Sequence, residues 1–242
     1  PVLLDCDPGI DDALAIAYLV AEHLAGRIEL TAVVCTAGNV GLEDTVANAC
    51  AWLDLAGAPE LPVAAGASGP IAVPLWVDAA RSHPGELVGI VTGPSSTLAH
   101  ALALDPALPR LLGGLVMMGG TFHGHPGNTT PVSEWNVDVD PEAADAVCLA
   151  WETAQADDPA VPAPLWCGLN LTERAVWTPE RSERLLEASD SPVARRLTEA
   201  LRFYFEFHDS VGEGYLAQVH DPFVAWLALH PEAVVAGPAN VR

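Results

Sequence analysis

The run Asp5-Cys6-Asp7-Pro8-Gly9-Ile10-Asp11-Asp12 places four carboxylates within eight residues. Carboxylates a few ångströms apart raise one another's pKa unless a cation neutralises them, and hard oxygen donors crowded at one point suit Ca²⁺ or Mg²⁺. The plainer alternative is that Asp11 and Asp12 cap a helix and favour its dipole while Asp5 and Asp7 stay solvated. The run follows an apolar stretch and precedes an amphipathic one. A strand must therefore deliver the first two acids, and a helix must open near the last two.

Other chemistry-bearing segments also follow apolar runs: Gly38-Asn39-Val40, Gly93-Pro94-Ser95-Ser96 and Met118-Gly119-Gly120. Further on, Glu134-Trp135-Asn136 follows the loop Gly127-Asn128-Thr129-Thr130-Pro131, and His220-Asp221-Pro222 opens a late helix. Each is weak alone. Gly-Asn is commonly a turn, a Met at a strand end is commonly core, and Asp221 before Pro222 reads equally well as an N-cap with Pro at the first helical position. The pair His208-Asp209 shows how readily a His-Asp dipeptide arises, and His123-Gly124-His125 reads as a loop.

The elements that must position these residues alternate. Strand-like apolar runs are expected at Pro1 to Cys6, Ile28 to Cys35, Leu61 to Ala65, Leu87 to Thr92, Leu115 to Met118 and Cys167 to Thr172. Helical spacing covers Asp12 to Ala25, Leu42 to Leu55, Ser96 to Leu104, Pro141 to Ala154, Ser191 to His208 and Asp221 to Leu229. Alternation of this kind predicts an α/β fold, an open and mainly parallel sheet flanked by helices with a helical C-terminal part, in a single domain over residues 1–242. In such sheets ligands sit beyond the carboxyl ends of the strands, where the segments above fall. Between Gly66 and Glu86 the chain passes through Gly69-Pro70-Ile71-Ala72-Val73-Pro74, which leaves little room for a crossover helix.

Composition narrows the chemistry. Ten basic residues, all Arg, face thirty-two acidic ones, for a formal net charge of −22. The absence of Lys excludes a Walker-type phosphate loop, a Schiff-base enzyme and phosphatase mechanisms that need a Lys beside their aspartates. Such acidity argues against nucleic acid or an anionic membrane as partner, because both are bound by neutralising phosphate. No apolar run reaches the roughly 18 residues of a membrane-spanning helix. The five cysteines are scattered, without Cys-x-x-Cys spacing, which fits a reducing cytoplasm better than a disulfide framework or a zinc site.

Taken together, these segments resemble the inosine-uridine preferring nucleoside hydrolase family, whose DxDPGxDD signature is matched by Asp5, Asp7, Pro8, Gly9, Asp11 and Asp12. The later segments fall in the family's order across about residues 1 to 235, ending with Asp140-Pro141-Glu142-Ala143-Ala144 and His220-Asp221-Pro222. The resemblance implies a Rossmann-like core and a Ca²⁺ held by Asp7, Asp12, Asp221 and the main-chain carbonyl of Ser96, with waters completing the shell. It implies that one such water is the nucleophile and Asp7 its general base. Asp11, Asn136 and Asp221 would hold the ribose 2′ and 3′ hydroxyls, Glu134 with Asn128 the 5′ hydroxyl, and Asn39 would fix ribose and water. Met118 would lie against the sugar and His220 would be the acid near the departing base. A ribonucleoside substrate and a homodimer or homotetramer are implied as partners.

Four departures from that pattern matter. Ile10 stands where many members carry His, Ser96 replaces Thr, and Trp135 replaces Phe. After Pro74 neither the family's His-Gly-x-Asp-Gly loop nor the helix behind it is expected, so a lid segment near 74–76 and a final strand would not be represented. Tyr215 is the candidate stacking partner for the base. Two rivals remain: a haloacid-dehalogenase-type phosphatase, which shares Asp-x-Asp after a first strand but needs a Lys, and a non-catalytic nucleoside- or ribose-binding protein.

Overall fold

A computed structural model of the chain describes residues 1–66 and 71–239. Its centre is a six-stranded sheet of β1 (Val2–Cys6), β2 (Leu30–Cys35), β3 (Val63–Ala65), β4 (Val88–Val91), β5 (Gly114–Met118) and β6 (Leu165–Cys167). The spatial order is β3-β2-β1-β4-β5-β6 and every pairing is parallel. This order reverses direction between β1 and β4, which opens a crevice at their carboxyl ends, the usual ligand site of doubly wound sheets.

Helices connect the strands: α1 (Ile10–Leu24), α2 (Leu42–Ala56), α3 (Ala72–Ser82), α4 (Ser96–Leu104), α5 (Leu108–Leu111), α6 (Trp135–Val139) and α7 (Pro141–Asp157). After β6 come α8 (Leu169–Thr172), α9 (Pro179–Ala188), α10 (Pro192–Ser210) and α11 (His220–Leu229). A two-stranded antiparallel ribbon, β7 (Val176–Trp177) with β8 (Ala217–Gln218), ties α8 to the start of α11. Among the described residues no helix is long and apolar enough to cross a membrane.

Both faces of the sheet are covered, which explains why its strands read as unbroken apolar runs. On β1, Val2, Leu4 and Cys6 pack with α1, α2 and α11, whereas Leu3 faces α3, α4 and α7. A third cluster joins the N-terminal half of α1 (Ala13, Leu14) to α10 through Leu197, Leu201 and Phe205. Burying these side chains supplies the bulk of the stabilisation, at roughly 25 cal/mol per Å² of apolar surface.

Two expectations are corrected. The segment after Gly66 does hold a crossover helix, α3, because Pro74 is its third residue, within the first turn where a missing N–H costs nothing. The stretch Cys167 to Thr172 is not one strand: β6 ends at Cys167, and the Gly168 carbonyl accepts from the N–H groups of Leu171 and Thr172 to start the turn α8. Residues 74–76, near which a lid segment was expected to be unrepresented, fall inside α3, and residues 67–70 and 240–242 lie outside the described residues.

A carboxylate-lined cavity at the sheet crossover

Beyond the carboxyl ends of β1, β4 and β5 lies a cavity of about 110 Å³. Nine of the eleven residues expected to form a site line it: Asp7, Asp11, Asn39, Met118, Asn128, Glu134, Asn136, His220 and Asp221. Thr92, Trp135 and Tyr204 complete the lining, and no lysine or arginine is among the lining residues. Asp12 is buried immediately behind, so that oxygens of Asp11, Asp12 and Asp221 lie within 4.8 Å of one another.

Local structure explains how these acids meet. Asp7 leaves the end of β1. Asp11 and Asp12 sit in the first turn of α1, where Asp12 Oδ2 accepts the Gly9 N–H at 2.9 Å, so this acid does take a capping role as well. Asp221 is not the N-cap of α11: that position is Val219, Asp221 is the second residue of the helix, and its carboxylate is free to join the cluster. The positive ends of α1 and α11 thus converge on the acids and offset part of their repulsion. The remaining repulsion is large. Burial first, and neighbouring carboxylates next, hold Asp7 and Asp221 well above the usual carboxylate range, while burial and Asp11 push Asp12 up to about 7.

Two glycines let Asp7 be enclosed. A Cβ on Gly38 would stand 2.1 Å from Asp7 Oδ2, and one on Gly93 would stand 2.9 Å from Oδ1. Asn39 braces the same loop: its main-chain N–H donates to Asp7 Oδ2 at 2.7 Å, and its amide nitrogen donates to the Asp7 carbonyl at 3.1 Å and to Asp12 Oδ2 at 3.4 Å. Thr92 donates its hydroxyl to Asp12 Oδ1 at 3.0 Å, and its carbonyl accepts from Asn136 Nδ2 at 2.7 Å.

The opposite wall is built differently. Glu134 caps α6, with Oε1 accepting from the Asn136 N–H at 2.8 Å and Oε2 from Gly120 at 2.9 Å and Val137 at 3.1 Å. Burial raises its pKa, and these three donors pull it back. Asn128 Oδ1 accepts from the Trp135 N–H at 3.0 Å, which turns its amide nitrogen into the available group. Above them, Tyr204 rests edge-on against His208, with ring centroids 4.5 Å apart, and its hydroxyl is held well above the ordinary phenol range by burial and then by Asp11 and Asp221.

Two residues singled out in the sequence, Ser96 and Tyr215, lie outside the cavity lining. Ser96 does not line the cavity: its hydroxyl bonds Asp140 and its carbonyl lies 2.7 Å from His100 Nδ1, whereas Thr92, four residues earlier, reaches the acids. Tyr215 packs against Phe205 at 5.5 Å, outside the lining, and Tyr204 takes the place at the cavity. His123 and His125 stay in the loop, His125 pairing with Glu173. Thr92 carried a signal, since it ends the fourth strand-like run at the switch point. Tyr204 carried none beyond its place in an amphipathic helix.

The donor set fits a hard divalent cation. Several buried carboxylate oxygens converge without a cationic side chain, and only an ion there lets them all stay ionised.

Comparison with known proteins bears on what this cavity does. Residues 2–242 match the family described as inosine-uridine preferring nucleoside hydrolase. The pyrimidine-specific ribonucleoside hydrolase RihA of Citrobacter koseri is 34% identical over 96% of this chain and 80% of its own length. The inosine-uridine preferring nucleoside hydrolase of Leishmania major is 32% identical over 95% of this chain and 79% of its own. Among solved structures, a purine-preferring ribonucleoside hydrolase from Gardnerella vaginalis superposes with a TM-score of 0.85 at 26% identity, covering 99% of this chain and 83% of that one. A plant nucleoside hydrolase gives 0.83 at 27% identity, covering 96% and 79%.

Proposed function

The chain belongs to the inosine-uridine preferring nucleoside hydrolase family, whose members named above are ribonucleoside N-glycosidases, and from that premise we propose that it hydrolyses the bond between ribose and base in ribonucleosides. The observation that carries this reading is the anionic cavity at the β1/β4 crossover, where Asp7, Asp11 and Asp221, with Asp12 buried behind them, share the lining with Asn39, Asn128 and Asn136 and with no lysine or arginine. Cleavage of a ribosyl C1′–N bond develops positive charge on the sugar, and a preorganised anionic wall stabilises that charge.

Asp7, Asp12 and Asp221 would hold a divalent cation, Ca²⁺ by the resemblance, and Thr92, which lines the cavity where Ser96 does not, would add its main-chain carbonyl. When bound, such an ion supplies an oriented water of lowered pKa. Asp7, whose Oδ2 accepts from the Asn39 N–H, would be the group that takes up the proton of the attacking water.

The amides divide the ribose hydroxyls by what they have left to offer. The Asn136 nitrogen is spent on Thr92 and Met118, so it presents an oxygen, and Asn39 does the same after bonding Asp7 and Asp12. Together with Asp11 and Asp221 they accept from the 2′ and 3′ hydroxyls. Asn128 presents its nitrogen, and Glu134 Oε1, engaged by one N–H, keeps a lone pair for the 5′ hydroxyl. Met118 closes the cavity beside the sugar, with its sulfur 3.3 Å from Asn136 Nδ2. On the leaving side, burial lowers the pKa of His220, so the ring meets the base as a neutral imidazole that shares its Nε2 proton with the nitrogen receiving the bond's electron pair. Tyr204, which lines the cavity, would be the ring for the base to stack against.

Release of free ribose from inosine, uridine, cytidine, adenosine and guanosine, with added Ca²⁺ and after exhaustive chelation, tests the reading. Turnover that chelation abolishes and Ca²⁺ restores is expected. Absence of ribose from all five, with metal retained by the protein, would favour a binding protein instead.

A further inference from the structure

His220 is held at two points that its own helix does not supply. Its main-chain N–H donates to Asp11 Oδ2 at 3.2 Å, and its ring Nδ1 lies 2.8 Å from Thr172 Oγ1. Thr172 is fully buried at the end of α8, the turn that replaces the expected strand end. Its main-chain groups are already used, the N–H by Gly168 and the carbonyl by Ala175. Among the described residues the Thr172 hydroxyl has His220 alone as partner.

The direction of that bond follows from satisfying both groups. A buried hydroxyl that accepted from an Nδ1–H would leave its own hydrogen without an acceptor, which buried polar groups rarely tolerate. Donating to Nδ1 satisfies the hydroxyl and puts the ring proton on Nε2, the nitrogen with no partner among the described residues on a ring that lines the cavity. The second nitrogen of a functional histidine is commonly fixed by such a contact.

We propose that Thr172 is a positioning residue: its hydroxyl locks the tautomer and orientation of His220 so that Nε2–H faces the leaving base. The inference rests on the hydrolase reading and deepens it. Thr172 touches neither substrate nor reacting atoms; it acts only through the imidazole. Within β6 and its continuation the side chain would have alternated away from α11. The α8 turn is what brings the hydroxyl to the ring.

The test compares two leaving groups. Inosine needs hydrogen-bond help as its base departs, whereas a 4-nitrophenyl riboside releases an anion that is stable unaided. Thr172→Val removes the hydroxyl at constant shape and should lower kcat on inosine by on the order of ten- to a hundredfold, part of what an acid contributes. The rate on the nitrophenyl riboside should stay within about twofold by the same argument, and Thr172→Ser should recover most of the inosine rate. In a His220→Ala background, Thr172→Val should add no further loss. Long-range ¹H–¹⁵N NMR of metal-free protein should show His220 protonated at Nε2, and a mixed tautomer population in Thr172→Val. Equal losses on both substrates, additivity with His220→Ala, or an unchanged tautomer would overturn the inference. A wild-type protein inactive on both substrates would sink the hydrolase reading, and the inference with it.

Discussion

Two sets of buried carboxylates face each other across the cavity, and they are stabilised in opposite ways. On the α6 wall, Glu134 is surrounded by donors: three main-chain N–H groups reach its two oxygens. On the β1/α11 wall, Asp12 accepts from Gly9, Asn39 and Thr92, Asp7 from Asn39 and Asp11 from His220, yet the acids stand beside one another with no lysine or arginine among the lining residues. The charge of Glu134 is met by donors within the chain, which leaves it one lone pair to offer a substrate hydroxyl. The second set is frustrated until a positive charge arrives, from an ion or from the sugar in its transition state. A buried carboxylate thus has its charge met by main-chain donors on one side and opposed by other carboxylates on the other, and the neighbours decide which.

The largest effect expected from this contrast is on catalysis. Asp7→Ala should lower ribose release by on the order of 10³-fold or more, since it removes both a cation ligand and the proton acceptor. Circular dichroism should show the fold retained. A loss smaller than tenfold would mean that the acid wall is not the reacting one.

Metal removal comes next, because it reads the frustration directly. The folded pKa values of Asp7, Asp12 and Asp221 lie above the unfolded value of 3.8, so the metal-free folded state binds more protons than the unfolded chain. By linkage its stability is then greatest near and below pH 4 as far as these groups are concerned, and falls as pH rises toward the folded value of about 7 for Asp12. The slope is about 1.4 kcal/mol per pH unit for each group titrating. Chelated protein should lose thermal stability between pH 5 and pH 7, and millimolar Ca²⁺ should restore it at pH 7 while changing little at pH 4.5. Equal Ca²⁺ effects at both pH values would contradict a site made of these acids.

A third buried carboxylate tests the intermediate case. Asp5 points to the other face of the sheet, where Trp76 Nε1 donates to Oδ2 at 2.9 Å and Oδ1 has no partner among the described residues. Burial pushes it up to about 7, and the indole partly opposes that. Trp76→Phe should cost about 1–3 kcal/mol beyond the change in packing, and more at pH 8 than at pH 5, because only the ionised form needs the donor. Denaturant titration at the two pH values checks this, and a loss independent of pH would assign the whole cost to packing.

What the sequence made legible follows the same line. The parallel sheet and the acids of its first loop could be read because apolar runs, helical spacing and carboxylate crowding are local signals. The helix Ser96–Leu104 even begins and ends where the spacing placed it. Three things were hidden because they depend on non-local geometry. The helix α3 was masked by Pro74, which only its place in a first turn makes harmless. Thr92 and Ser96 are equally good as oxygen donors in sequence, and only the start of α4 turns the second away. Tyr204 and Tyr215 lie on one amphipathic stretch and the loop after it, and the phase of α10 decides which ring meets the cavity.

The smallest effect is also the sharpest test of the contrast, because it predicts a sign. Glu134→Gln exchanges one acceptor oxygen for a donor facing main-chain N–H groups, so at least one bond is lost and an N–H is left unpaired. A cost of about 1–2 kcal/mol follows, similar to loss of a helix cap. Asp221→Asn does the reverse in metal-free protein: it permanently supplies the neutral state that burial and the charges of Asp11, Asp12 and Asp7 already favour. Above pH 7 that variant should be more stable than the parent by roughly 1 kcal/mol, following the charge repulsion it relieves. Below pH 4 the difference should vanish, and Ca²⁺ should no longer stabilise the variant. Thermal melts of both variants with chelator, at pH 4 and pH 8, measure the two signs side by side. Destabilisation by Asp221→Asn at pH 8 would mean that the acid wall is satisfied by protein donors after all, and that the two walls do not differ in the way their neighbours indicate.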